Sequence, residues 1–95
     1  MKVLKFNRHE LFNAEMTQQV MKLSRRVEDH NFEVGKLGFC LLNNNLFGMF
    51  DGFLYESTLE LAERYPIELR NEIVELYNKI HSHIEANGES ETQIF

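Results

Sequence analysis

The chain has 95 residues, 43% of them apolar and 26% charged, with a net charge of −5. That is one domain's worth of chain with one core, too small to enclose a roomy active site unaided. The single cysteine, Cys40, excludes an internal disulfide framework and accords with a reducing compartment.

The charge is unevenly spread. Residues 1–50 hold seven Lys/Arg against five Asp/Glu, whereas residues 51–95 hold three against ten. An acidic second half argues against general nucleic-acid binding, because affinity for phosphates comes from cations. Met1 to Phe12 is too polar for a signal peptide. The longest uncharged run, Leu37 to Phe50, is shorter than the roughly 20 apolar residues a membrane span needs. A cytoplasmic protein without a membrane segment is expected.

Taken in order, the first predicted element is a helix over 8–29. Asn7 and Glu10 form a capping box, and Phe6 with Leu11 form the staple beside it. Its core stripe is Phe12, Met16, Val20, Leu23 and Val27, at spacings of three and four. Asp29-His30-Asn31 reads as the break.

The middle of the chain carries two stripes at about 100° per residue. Phe39, Leu42, Leu46, Met49, Phe50, Phe53 and Leu54 fall on one side of the wheel. Leu37, Leu41, Gly48, Gly52 and Tyr55 fall on another. The period predicts a central helical segment over 37–56, with Cys40 as a buried thiol. The alternative is an α+β fold with a central hairpin at 37–50, its strands joined by Asn43-Asn44-Asn45.

Ser57 and Glu60 form a second possible capping box, opening a short helix over 57–65. Pro66 suits the first position of a last helix over 66–86. Its buried stripe is Leu69, Ile73, Leu76, Tyr77, Ile80 and Ile84. Asn87-Gly88 is a stop signal. The expected domain is a single helical unit over 1–88, with a disordered tail at 89–95.

Two groups of residues are candidate binding sites. The stripe Leu37, Leu41, Gly48, Gly52 and Tyr55 has no second core to pack on, so it is an expected oligomer or partner interface. Lys22, Arg25 and Arg26 form a basic patch suited to an anion or an acidic partner, such as the acidic last helix of a neighbouring chain. His81 and Glu85 share a helix face, but His9, His30 and Cys40 lie far away in sequence, so no metal site is expected. Neither a catalytic arrangement nor a phosphate loop stands out, and no cofactor is implied.

The fold class expected is all-α, with two long amphipathic helices around the Phe-rich centre. The function expected is non-enzymatic: a homo-oligomeric protein-binding adaptor, inhibitor or regulator. Alternatives are an oligomeric small-ligand or nucleotide-binding protein with pockets between subunits, or an acidic nucleic-acid mimic.

Overall fold

The computed structural model describes residues 2–35, 41–86 and 91–94. The fold is mostly helical, with a small antiparallel sheet. In chain order the elements are β1 (Lys2–Lys5), α1 (Arg8–Leu11), α2 (Ala14–Glu33), α3 (Leu41–Gly48), a 3-10 turn (Met49–Asp51), β2 (Phe53–Tyr55), α4 (Ser57–Ala62), α5 (Ile67–Ala86) and β3 (Glu91–Ile94).

The predicted first helix is two helices. Asn7 caps α1, its side chain accepting from the His9 N–H at 3.1 Å. Asn13 then caps α2, accepting from the Met16 N–H at 2.8 Å. Between them Phe12 is extended, with φ −90° and ψ 119°. Its ring packs 5.6 Å from Phe6 and 6.4 Å from Phe50. Phe12 therefore belongs to an aromatic corner that joins α1 to the central segment, and not to the face of a continuous helix.

Nor does α2 stop at Asp29-His30-Asn31. Asn31 is buried and accepts from the Tyr65 hydroxyl at 2.7 Å, so it is an inward-facing helical residue and not a cap. The helix ends where Gly35 takes a left-handed φ of 72° and the Gly35 N–H donates to the Phe32 carbonyl.

The central segment is helical over Leu41–Gly48 but not to residue 56. It tightens into the 3-10 turn, reverses at Gly52 (φ 87°) and leaves as strand β2. A helical Leu46 also removes the hairpin alternative at 37–50 over its described part; residues 37–40 lie outside the described residues. Strands form elsewhere. β1 pairs antiparallel with β2 through Val3–Tyr55, Leu4–Leu54 and Lys5–Phe53. It pairs antiparallel with β3 on its other edge, so Glu91–Ile94 form a strand where a disordered tail was expected.

Ser57 is the first helical residue of α4 and not its cap; its hydroxyl accepts from the Asn45 amide at 3.0 Å. In α5 the buried residues are Leu69, Ile73, Leu76, Tyr77, Ile80 and Ile84, at the predicted spacing. The core joins these to Met16, Val20, Leu23 and Val27 of α2, Leu42 and Leu46 of α3, Met49, and Leu54 of β2. Burial of this apolar surface, at about 25 cal/mol per Å², is the main favourable term holding the elements together.

Candidate functional site

The predicted glycine stripe lies at the junction of α3, the 3-10 turn and β2. Leu37 lies outside the described residues, and Leu41 opens α3. Gly48 and Gly52 are buried inside the protein. A Cβ on Gly48 would sit 2.5 Å from the edge of the Tyr55 ring, and one on Gly52 would sit 2.5 Å from the Phe6 carbonyl oxygen. The Phe6 N–H donates to the Gly52 carbonyl at 2.8 Å, which explains the close backbone approach. Tyr55 is half-buried on β2, its ring 6.3 Å from Phe53. Both glycines thus make room for the chain's own sheet and turn. The described part of the stripe, Gly48, Gly52 and Tyr55, passes from helix through a turn into strand.

The basic patch also divides. Lys22 and Arg26 line a cleft of about 210 Å³ between α2 and α5, facing Glu72 and Glu75. Arg26 forms an ion pair with Glu72, both side chains about half exposed. Such a pair is worth about 0–1 kcal/mol. Arg26 also borders a neighbouring cleft of about 290 Å³ with Asp29, His30, Glu33 and Glu68. The two clefts together present five carboxylates and two cations, Lys22 and Arg26. An acidic last helix does face the patch, but it is the same chain's α5. A phosphate entering here would meet a paired guanidinium and a carboxylate excess. Arg25 stands about 100° round the helix from Arg26 and points to solvent.

The polar interior is organised by asparagines. Asn43, buried, donates through its amide to the Ser24 carbonyl at 3.1 Å and so ties α3 to α2. Its Oδ1 is a buried acceptor without a hydrogen bond. Asn45 donates to Ser57 and to the fully buried Thr58, tying α3 to α4. Two of the three asparagines that suggested a hairpin loop, Asn43 and Asn45, are therefore packing contacts of a helix, and Asn44 faces solvent.

At the far end of α5 the His81 Nδ1 lies 2.9 Å from Glu85, and the His81 ring stacks on Tyr77. Burial raises the Tyr77 phenol above its ordinary value, and the Glu56 carboxylate adds to the shift. Among the described residues, no three His, Cys, Asp or Glu side chains are placed to hold a metal ion. No helix among them is long and apolar enough to cross a membrane.

Two apolar surfaces escaped the sequence reading. One is an aromatic run, Phe6–Phe12–Phe50–Phe47, with ring centroids 5.6–6.5 Å apart. It leads from the buried Phe6 to Phe47, which is 51% exposed. The other is the outer face of α2, where Met21 is 42% and Phe32 66% exposed. A signal existed: Met21 and Phe47 are apolar yet fall off every core stripe. Ending the helix at Asp29 left Phe32 outside the wheel. Compared with protein-family models, curated proteins and solved structures, the chain matches none of them.

Proposed function

We propose that the protein is a non-enzymatic interaction module that works as a homo-oligomer, acting as an adaptor, inhibitor or regulator by binding another protein. The observation that carries this reading is the exposure of large apolar side chains in two places, Met21 and Phe32 on α2 and Phe47 beside Phe50. Aromatic and methionine side chains are enriched at protein interfaces, and grouped exposure of such residues marks contact sites. Two separate surfaces suit a module that pairs with itself by one and takes a different protein on the other.

The clefts between α2 and α5 favour the alternatives less. Their carboxylate excess opposes a nucleotide or other small anion. Arg26, set among Glu68, Glu72 and Glu75, interrupts the run of negative charge that imitation of a nucleic acid requires. The test is light scattering coupled to size exclusion at tens of micromolar, roughly the level at which weak interfaces assemble. A mass above that of one chain is expected; a monomer throughout would overturn the reading.

A further inference from the structure

Three sides of α2 are accounted for. Met16, Val20, Leu23, Ser24, Val27 and Asn31 face inward and are buried. Asn43 of α3 reaches Ser24 on one flank, and Lys22 and Arg26 face α5 on the other. The remaining side carries Met21, Arg25, Glu28 and Phe32, all four exposed. Their spacing of four, three and four places them within about 60° of one another and about 120° from the centre of the buried face. Neither Arg25 nor Glu28 forms an ion pair among the described residues.

This face is its own complement. Met21 and Phe32 are equally far in sequence from the midpoint between Arg26 and Val27, and so are Arg25 and Glu28. When two such helices cross antiparallel about a two-fold axis at that midpoint, Met21 meets the partner's Phe32 and Arg25 meets the partner's Glu28. Each contact occurs twice, as a two-fold interface demands. Sulfur against an aromatic ring is favourable, and the guanidinium pairs well with a carboxylate. A parallel pairing would set Arg25 on Arg25 and Glu28 on Glu28, which charge repulsion forbids. The complementarity therefore selects both the occupant and its direction.

We infer that the outer face of α2 is an antiparallel two-fold dimer surface for a second copy of this chain, built on Met21–Phe32 and Arg25–Glu28 contacts. The inference rests on the reading of the protein as a homo-oligomer and specifies its surface. The contact spans about 16 Å of helix, so the dimer is weak and concentration-dependent.

Charge swapping tests it. Sedimentation across roughly 10–300 micromolar, a range that brackets weak dimers, should show wild type moving from monomer to dimer. Arg25→Glu and Glu28→Arg each create two like-charge contacts in the homodimer and should weaken it roughly tenfold or more. The double variant Arg25→Glu/Glu28→Arg restores both pairs and should dimerise like wild type. An equimolar mixture of the two single variants should form a mixed dimer that neither forms alone. Phe32→Ser should weaken the dimer without the rescue. All five species should melt alike, since the four side chains are exposed. Wild type that stays monomeric overturns the homo-oligomer reading and this inference with it. A dimer that survives Arg25→Glu and Phe32→Ser keeps the homo-oligomer and overturns this surface. A double variant that fails to recover overturns the Arg25–Glu28 pairing.

Discussion

In α2, six buried residues lie along twenty, and a single backbone geometry presents them all. Between Leu41 and Tyr55 the chain passes from α-helix to 3-10 turn, to a left-handed glycine, to strand. Yet Leu42, Leu46, Met49 and Leu54 reach the same core from those different geometries. The helix shows that period can dictate burial. The central segment shows that burial can imitate period, because side chains converging on one core keep roughly helical spacing after the helix has ended. The contrast predicts that α2 tolerates change on most of its surface, while the central segment depends on a few positions where the backbone turns.

The two glycines give the sharpest test of that dependence. At Gly52 a left-handed φ combines with a Cβ position 2.5 Å from the Phe6 carbonyl, a backbone atom held in the sheet junction. Gly52→Ala should cost roughly 2–4 kcal/mol in chemical denaturation, since strain and clash add. At Gly48 the obstacle is the edge of the Tyr55 ring, a side chain able to swing. Gly48 is also helical, where alanine gains about 1 kcal/mol in propensity. Gly48→Ala should therefore stay within about 1 kcal/mol of wild type. Equal losses at both positions would show that Tyr55 is fixed and that helix and turn are equally intolerant.

Legibility followed the same division. The spacing of α5 marked all six of its buried residues, and that of α2 marked Met16, Val20, Leu23 and Val27, because one amphipathic helix against one core leaves a clean stripe. The sheet was not legible. β1 is four residues with lysine at both ends, and its partner β2 is three residues inside an apolar run. Neither shows alternation long enough to compete with the helical period. The interruption at Phe12 was hidden for a related reason: phenylalanine fits a core stripe, and only its distance to Phe6 and Phe50 shows that it turns a corner. For the candidate sites, residue type was legible but direction was not. Arg25 and Arg26 are neighbours in sequence, yet one faces solvent and the other α5.

The two asparagine caps test whether α2 owes its start to Asn13. Asn13 serves a twenty-residue helix through a 2.8 Å hydrogen bond, whereas Asn7 serves a four-residue helix through one of 3.1 Å. Asn13→Ala should cost about 1 kcal/mol and Asn7→Ala less, measured by thermal melting. A stabilised Asn13→Ala protein would mean that α1 and α2 gain by fusing. In that case the stripe from Phe12 to Val27 would outweigh the aromatic corner.

The smallest effect concerns the place where the central segment ends against α5. Tyr77 is buried there, and burial holds its phenol above the ordinary value of 10.0, with the Glu56 carboxylate just beyond β2 raising it further. A raised value in the folded state means that folding favours the neutral hydroxyl. The associated stability is fully present below pH 10.0 and is lost as pH rises through the folded value. At neutral pH Tyr77→Phe should therefore change the melting temperature little. Above pH 10 the wild type should lose stability more steeply than the variant, because phenylalanine has no proton to give up. Glu56→Gln should make the alkaline loss smaller and complete it at lower pH, since removing the nearby negative charge brings the folded value closer to the unfolded one while burial still holds it raised. Matching alkaline profiles for wild type and Tyr77→Phe would show that Tyr77 ionises as freely folded as unfolded. The end of β2 would then leave α5 open to water, unlike the closed inner face of α2.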